Sequence, residues 1–437
     1  MSLAVATMHF PAPSAADTLA RLLDGDLSFH KTGSGDNGTH SLHPFPAKFP
    51  PQLPALFVEN LTAPGDMVLD PMMGSGTTLI EAVRLERKAV GCDIDPLSLI
   101  VGGAKLSPIS PLQIIQTGFD ILFAAKRAFA DEKGELEKEL RGRYEAGTRA
   151  FMDYWFLPDT QLELLALLTE IEKIPNARTR RFFTMIFSSV IITKSAGVSL
   201  ARDLSHTRPH RITDKQPAAV FSEFVKRLAQ SAAHGKNLTR RGGAKLKQTK
   251  AQKTGLPGDI ADLIITSPPY ANNAIDYMRA HKFSLVWLGH SVKALSALRA
   301  GYIGHDAARL NVEDGIPLPP VCETTVNQLA QLSKQKAAAL RRYFCEMRDV
   351  SAEMLRLLKP GGACVVVVAS SVLSGMDVKT HECIAALGEA AGFYLAGIGV
   401  RHIDRDRRMM PARWDKKART QIEGRMHDEY IIGMVKT

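Results

Sequence analysis

A short apolar strand that runs into a glycine-bearing turn and then a helix most constrains the fold of this 437-residue chain. The strand ends at Asp70, the turn contains Gly74 and Gly76, and apolar residues between 79 and 83 follow the spacing of one helix face. Two glycines permit a tight turn and a close approach of the backbone to a ligand. The sequence therefore predicts a strand-turn-helix nucleotide site in a doubly wound α/β domain.

A second apolar strand follows and ends at two acids, Asp93 and Asp95, about twenty residues after the turn. An acid at the tip of this strand is placed to accept hydrogen bonds from both hydroxyls of a ribose. We expect Asp93 to fill this role, with Asp95 as the alternative. A doubly wound turn that binds no ligand is the competing interpretation.

A second constrained segment lies far downstream, where an apolar run ends in Thr266 and is followed by a hydroxyl, two prolines and an aromatic ring. These residues are Ser267, Pro268, Pro269 and Tyr270. By itself, this tetrapeptide is equally consistent with a rigid proline turn that closes a core strand.

Together, the pattern Asp70-Pro71-x-x-Gly74-Ser75-Gly76-Thr77-Thr78 and the tetrapeptide resemble the DNA amino-methyltransferases of the S-P-P-Y type. Members of that family use S-adenosylmethionine to methylate the exocyclic nitrogen of cytosine or adenine. Their fold is the Rossmann-like methyltransferase fold, an α/β domain with a doubly wound, mostly parallel seven-stranded sheet. Met72 departs from the family's usual Phe, but methionine can fill the same apolar volume.

The order of the motifs is similar to the family arrangement in which the target-recognition region is inserted between the donor-binding and catalytic halves. Residues 1–39 would then be an N-terminal leader with a mobile loop, and 40–108 the donor-binding half. Residues 109–258 would be a largely helical, basic insertion, and 259–437 the catalytic half. Specific DNA contacts are expected in the insertion and in a basic loop at 401–425.

The resemblance implies S-adenosylmethionine as the cofactor and no metal. The donor-binding residues would be Asp70, Pro71, Gly74, Ser75, Gly76, Thr77 and Asp93. Within this set, Asp70 and the backbone of 74–76 would hold the methionine part of the donor, and Asp93 the ribose. Lys48 or Phe49, in a proline-rich segment upstream, would close over the donor.

The tetrapeptide has a chemical reason to be catalytic. An exocyclic amino group is a poor nucleophile because its lone pair is delocalised into the ring. The Ser267 hydroxyl and the Pro268 carbonyl can accept the two amino hydrogens, which leaves the lone pair directed at the methyl group. The prolines Pro268 and Pro269 aim these acceptors in advance, and Tyr270 offers a ring face to a base flipped out of the duplex. Direct transfer needs no covalent intermediate.

The identity of the base rests on resemblance. Ser rather than Asp at the first position of the tetrapeptide favours N4 of cytosine over N6 of adenine. Attack on carbon 5 of cytosine requires a cysteine after a proline, and none of the five cysteines follows one. Two other classes stay open: an RNA methyltransferase acting on guanine N2, whose tetrapeptide usually begins with Asp or Asn, and a non-catalytic nucleic-acid-binding module.

A net charge of +10 fits either a generally basic surface or a polyanionic partner. Beside these motifs we expect double-stranded DNA, and a separate restriction endonuclease if the enzyme serves in restriction-modification rather than alone. The arginines expected to contact DNA are Arg202, Arg208, Arg211, Arg240, Arg241, Arg407 and Arg408.

The cysteines are scattered without a C-x-x-C pair, which argues against a zinc site and a disulfide scaffold. No apolar segment reaches the roughly 18 to 20 residues of a membrane span. We therefore expect a cytoplasmic protein.

Periodicity and breakers predict the elements around these motifs. Helices are expected over 52–60, 112–130, 181–193, 328–358 and 378–391, and strands over 363–370, 394–401 and 429–436. Residues 235–258, rich in Gly, Lys and Thr, are expected to be a flexible loop that orders on nucleic acid.

Overall fold

The computed structural model describes residues 14–29, 38–46, 48–107, 109–193, 197–202, 204, 209–234, 242–271, 276–304, 317–369, 371–402 and 428–437. Its strands are β1 Met67–Asp70, β2 Lys88–Asp93, β3 Ala244–Gln248, β4 Ala261–Thr266, β5 Leu358–Ala369, β6 Val372–Leu373, β7 Met376–Asp377, β8 Phe393–His402 and β9 Asp428–Lys436.

The main sheet has seven strands in the order β3-β2-β1-β4-β5-β9-β8, and β6 and β7 form a separate hairpin. The five strands from β3 to β5 pair in parallel, whereas β9 lies antiparallel between β5 and β8. The predicted doubly wound, mostly parallel seven-stranded sheet is confirmed.

Fifteen α-helices and one 3₁₀ helix are described. The first group is α1 Ala15–Leu23, the 3₁₀ turn Gly38–Ser41, α2 Gln52–Leu61, α3 Thr77–Arg84, α4 Pro96–Lys105, α5 Pro111–Asp131, α6 Lys133–Arg143, α7 Ala146–Trp155 and α8 Pro158–Glu172. The second is α9 Ala177–Ile191, α10 Val220–His234, α11 Tyr277–Leu285, α12 Val292–Arg299, α13 Pro320–Leu332, α14 Lys334–Leu357 and α15 Thr380–Ala391.

Alternation along β5 explains how the sheet is covered on both faces. Val365 and Val367 belong to the apolar layer formed with α1, α2 and α3. Val366 and Val368 point the other way, into the layer formed with α13, α14 and α15. Successive side chains of a strand point to opposite faces, so an all-apolar strand is buried between two helical layers.

The helices α5 to α10 form a separate apolar core with α4 and α11. Phe283 and Trp287, in and just after α11, belong to this core, and the Tyr144 hydroxyl donates to the Trp287 carbonyl oxygen at 3.0 Å. The inserted helices therefore pack directly on the helix that follows the tetrapeptide.

Two expectations about elements are wrong. Part of the expected flexible loop, residues 244–248, is the edge strand β3, whose Lys245 and Lys247 are exposed while Leu246 packs inward. The expected helix over 328–358 is two helices, because Ser333 leaves the helical conformation (φ −161°, ψ 105°) and caps α14. The helix at 52–60 and the strands at 394–401 and 429–436 are confirmed as α2, β8 and β9.

Residues 1–39 were expected to be an N-terminal leader, but those in α1 contribute to the apolar core. Leu19 of α1 is fully buried in the layer that covers β5 and β9. The expected mobile loop lies mostly in 30–37, outside the described residues. Among the helices that the structure describes, none combines the length and apolarity needed to cross a membrane.

We predict that Gly433→Ala lowers the melting temperature. A Cβ there would lie 2.5 Å from Leu23 Cδ1 and 2.8 Å from two atoms of the buried Leu19, so α1 must shift away from β9, at a cost of about 1–3 kcal/mol. The control is Gly134→Ala in α6, where a Cβ meets nothing within 4 Å and a gain of up to about 1 kcal/mol is expected. Equal melting temperatures for Gly433→Ala and wild type, measured by circular dichroism, would contradict this packing.

Candidate active site

The loops after β1, β2 and β4 meet at the carboxyl edge of the sheet. Val68 of β1 lies beside Ala89 of β2 on one side and Leu263 of β4 on the other. The strand order reverses at β1, which makes this edge the topological switch point where open α/β sheets bind ligands. An open cleft lies here, with about 1120 Å³ of empty space continuous with solvent.

The cleft brings the two predicted motifs together. Of the predicted donor residues, all but Gly76 line it: Asp70, Pro71, Gly74, Ser75, Thr77 and Asp93. The whole tetrapeptide from Ser267 to Tyr270 lines the same cleft, as do Lys48 and Phe49. Residues separated by about 200 positions in the chain therefore share one site because their strands are neighbours.

Asp70 joins the ends of β1 and β4. Its Oδ1 accepts a hydrogen bond from the Thr266 hydroxyl at 2.7 Å and another from the Met72 N–H at 3.1 Å. The carboxyl is 2% exposed, and burial raises its pKa to about 6. The buried acid thus fixes the start of the glycine turn relative to the residue that precedes Ser267.

Asp93 holds the glycine turn against the tip of β2. Its Oδ2 accepts from the Gly74 N–H at 2.8 Å, and its Oδ1 accepts from the Asp95 N–H at 2.9 Å. Burial and the nearby charge of Asp95 raise the pKa of Asp93 to about 7. Each carboxyl oxygen has a second lone pair, so these bonds leave room for a ligand's hydroxyl groups.

The turn itself depends on glycine. Gly74 has φ +47° and Gly76, at the N-terminus of α3, has φ +82°. A Cβ on Gly76 would also lie 3.4 Å from Gly102 Cα in α4. Gly76 therefore allows α3 and α4 to lie close together. It faces α4 and does not line the cleft.

Asp95 has a structural task that the sequence did not indicate. Its Oδ1 caps α4 through the Leu97 N–H at 2.8 Å, and its Oδ2 lies 2.5 Å from His281 Nδ1 in α11. Burial would raise the pKa of Asp95, but His281 outweighs this and holds it below its ordinary value. Asp95 thus ties the tip of β2 to the helix that follows the tetrapeptide.

The tetrapeptide follows β4 directly, and its tyrosine is anchored at the far end of the ring. The Tyr270 hydroxyl lies 3.4 Å from Glu429 Oε1 on β9. Burial and the negative charge of Glu429 raise the pKa of Tyr270 well above its ordinary value, although a hydrogen bond with Ser267 acts in the opposite direction. The phenol therefore stays protonated and uncharged at neutral pH.

Several cleft residues were not predicted to lie there, and among them Tyr277 alone has a recognisable sequence signal. They come from the segment after β3 and from the segments around α11 and α12: Lys250, Ala251, Gln252, Tyr277, Gly301, Tyr302 and Ile303. The Asp-Tyr-x-Arg pattern after the tetrapeptide was the one available pointer to Tyr277.

Of the arginines expected to contact DNA, Arg202 and Arg211 are described. Both are exposed and lie at an antiparallel bridge between Ala201 and Arg211, and the Arg211 guanidinium stacks 4.8 Å from the centre of the Tyr154 ring. Neither lines the cleft. The others, Arg208, Arg240, Arg241, Arg407 and Arg408, lie outside the described residues.

The structure describes all five cysteines, and each is a buried free thiol. Within the described ranges, no group of three or more His, Cys, Asp or Glu side chains is arranged to hold a metal ion.

We predict that Asp70→Asn gains stability over wild type as the pH rises. Because the pKa of Asp70 lies above its ordinary 3.8, its contribution to stability is full below about pH 4 and is lost as the pH rises through about 6. An asparagine keeps an acceptor for Thr266 and Met72 but carries no charge. The variant's free energy of unfolding relative to wild type should rise by about 1–2 kcal/mol between about pH 5 and pH 7.

Urea unfolding at both pH values measures this difference. Glu59→Gln removes an exposed carboxylate on α2, outside the cleft, and should give the same offset from wild type at both. If the free energy of unfolding of Asp70→Asn differed from that of wild type by the same amount at both pH values, burial of the Asp70 charge would not cost stability.

Comparison with known proteins supports this interpretation of the cleft. A family model for N6/N4 methyltransferases, described as DNA methylase, matches residues 26–98, which contain β1, the glycine turn, α3 and β2. The chain is 24% identical to the Type II methyltransferase M.MvaI of Kocuria varians over 375 residues, covering 80% of each chain. It is also 24% identical to the Type II methyltransferase M.AvaI of Nostoc sp. over 370 residues, 75% of this chain and 73% of that protein.

A more local match concerns the Type II methyltransferase M.MjaII of Methanocaldococcus jannaschii, which is 32% identical over 117 residues, 26% of this chain and 22% of that protein. The family match falls on the strand, turn and acids that form one wall of the cleft, and the longer matches run through the tetrapeptide half as well. The chain is therefore similar to the DNA amino-methyltransferases, a family that uses S-adenosylmethionine: the family model matches one wall of the cleft, and Type II methyltransferases match most of the chain's length.

Proposed function

We propose that this chain transfers a methyl group from S-adenosylmethionine to N4 of a cytosine flipped out of duplex DNA. The observation that carries the proposal is the single cleft lined by both the glycine turn and the tetrapeptide. A donor seated on the turn would have its reactive end beside Ser267, because β1 and β4 are adjacent parallel strands.

The turn side of the cleft fits the donor. The Ser75 hydroxyl lines the cleft and is buried without a hydrogen-bond partner in the described structure, so it is available to a polar ligand. Asp93 offers acceptor lone pairs to ribose hydroxyls, and Asp70 with the backbone of 74–76 would hold the methionine part. Lys48 and Phe49 line the cleft and would cover the donor. When bound, the donor supplies an electrophilic methyl group on a sulfonium.

The tetrapeptide side would hold the base. The Ser267 hydroxyl and the Pro268 carbonyl accept the two amino hydrogens, so the nitrogen becomes tetrahedral and its lone pair, no longer delocalised into the ring, faces the methyl group. Tyr270 stacks on the base as an uncharged ring. As the nitrogen–carbon bond forms, the carbon–sulfur bond of the sulfonium would break, and the amino group would give up one proton to the solvent of the open cleft. No covalent enzyme intermediate is needed.

Serine at position 267 favours cytosine N4, because the family's adenine-modifying members usually carry Asp there. N6 of adenine is the alternative within the same chemistry. Methylation of guanine N2 in RNA is a weaker alternative, since Ser267 departs from the Asp or Asn usual in that class.

The biological role and the partners of the protein are proposed from the same comparison. Relatives named Type II methyltransferases support a role beside a separate restriction endonuclease in the cytoplasm. Target recognition would fall to the insertion at 109–258 and the basic loop at 401–425. Arg202 and Arg211 are exposed, and the Arg211 guanidinium lies over the Tyr154 ring. Both arginines would contribute phosphate contacts.

We predict that Ser267→Ala lowers methyl transfer by about 100-fold while binding of the donor persists, because one of two pre-aimed acceptors is lost. The protein is incubated with unmethylated plasmid DNA and tritium-labelled S-adenosylmethionine, and the product is digested to nucleosides. Label in N4-methylcytosine supports the proposal. Label in N6-methyladenine would show that the base is adenine rather than cytosine. Label that enters only a parallel sample of RNA would show that DNA is not the substrate.

Ser14→Ala is the matched control. Ser14 caps α1 through the Asp17 N–H at 3.2 Å, outside the cleft and the regions proposed to contact DNA, so the same substitution should leave the transfer rate near that of wild type.

We predict that Asp93→Ala weakens binding of S-adenosylhomocysteine at least tenfold at about pH 8, since hydrogen bonds to a charged acceptor contribute roughly 1.5–3 kcal/mol each. With a pKa of about 7, Asp93 in the wild type loses its charge as the pH falls, so wild-type affinity should fall below about pH 7. The variant should lack this dependence. Calorimetric titration measures both, and Asp159→Ala, at an exposed site on α8, is the control. Unchanged affinity in Asp93→Ala would refute the ribose assignment.

A further inference from the structure

Glu429 is a buried carboxylate near the start of β9, two strands along the sheet from β4, and it lies in contact with the tetrapeptide. It lies on β9, where it is opposite Ala369 of β5 and Arg401 of β8. Only 8% of the residue is exposed. A charge this far from water is costly unless it is paired, so its partners indicate its role.

The two carboxyl oxygens of Glu429 have different partners. Oε2 accepts from Nε of Arg401 at 3.0 Å and also from its Nη2, and Arg401 is itself only 5% exposed. Oε1 faces Tyr270, whose hydroxyl lies 3.4 Å away. Arg401 therefore fixes the carboxylate, and the fixed carboxylate presents its remaining oxygen to the tyrosine.

This arrangement restrains the Tyr270 ring at both ends. Pro268 and Pro269 limit the backbone on the near side, and Glu429 receives the hydroxyl on the far side. The contact of 3.4 Å is long for a hydroxyl donor, as is common for site hydrogen bonds before the substrate is bound. A ring held at its Cα and at its hydroxyl has its long axis fixed in the cleft.

We propose that Glu429, held by Arg401, is a positioning residue that fixes the long axis of the Tyr270 ring against the flipped base. The inference rests on the proposed function, because it assumes that Tyr270 stacks on a base. It adds two residues from β8 and β9 to the apparatus of the tetrapeptide, neither of which touches the substrate.

The test is a double-mutant cycle between the tyrosine hydroxyl and the buried pair. Tyr270→Phe removes the donor. Arg401→Met with Glu429→Met removes the acceptor and replaces the buried ion pair by apolar side chains of similar volume, a change that folded proteins commonly tolerate. Glu429→Gln is a second variant that keeps the shape of the side chain. Single-turnover methyl transfer to unmethylated plasmid DNA is measured with enzyme in excess, beside the affinity for S-adenosylhomocysteine and the melting temperature.

In the protein that keeps Tyr270, we expect the paired methionine variant to slow transfer about tenfold, because a misplaced ring no longer positions the base correctly. Its affinity for S-adenosylhomocysteine should be unchanged. In the Tyr270→Phe background it should cause no further loss, because the hydroxyl it acts through is absent. Glu429→Gln should follow the same pattern with a smaller loss.

An exposed ion pair outside the cleft and the proposed DNA-contact regions is the control. Lys379 Nζ and Glu382 Oε1 lie 3.1 Å apart, and both side chains are exposed. Replacing both by methionine should leave transfer within about twofold of wild type, as expected for a surface ion pair.

Equal slowing by the methionine pair in both tyrosine backgrounds would show a purely structural role and overturn the positioning proposal, as would no slowing at all. These outcomes leave the proposed function intact if wild type methylates cytosine. Label in adenine would show that the target base is not cytosine. The double-mutant cycle would still test the positioning role of Glu429, since either base can stack on a tyrosine. No transfer to DNA by wild type would overturn the proposed function and this inference with it.

Discussion

The hydrogen bond from the Thr266 hydroxyl to the buried Asp70 carboxyl is the interaction on which the site depends. It joins the last residues of β1 and β4, the two strands between which the sheet reverses its order. On one side of this bond the chain enters the glycine turn, and on the other it enters the tetrapeptide. The hydrogen bonds that Oδ1 accepts from Thr266 and Met72 offset part of the cost of burying this acid.

The two acids after β2 show how environment separates residues of one type. Asp93 and Asp95 are two positions apart, yet burial and mutual repulsion raise the pKa of Asp93 to about 7, while His281 holds that of Asp95 low. Asp93 therefore faces the cleft as an acceptor that is only partly ionised near pH 7. Asp95 is ionised at that pH, and it ties β2 to α11. Pairs of acids whose pKa values are driven apart commonly have distinct tasks in a site.

The helices α5 to α10 are connected to the site through α4 and α11, which share their apolar core. Tyr144 bonds to the carbonyl of Trp287, and Phe283 belongs to the apolar core of the insertion. On the other end of α11, Tyr277 lines the cleft and His281 pairs with Asp95. The helix thus shares one face with the insertion and one end with the cleft, so the position of the inserted helices and the shape of the cleft are physically linked.

The sequence by itself determined the sheet, the glycine turn, the tetrapeptide and the family, because each depends on local patterns: apolar runs, glycines that permit positive φ, and prolines that fix the backbone. It failed at β3, where Lys245 and Lys247 conceal an edge strand, and at Ser333, where one residue divides α13 from α14. Only the tertiary structure decided that Glu429, 159 residues beyond Tyr270, meets its hydroxyl. Such contacts depend on strand order and register, which bring distant residues together without leaving a pattern between them.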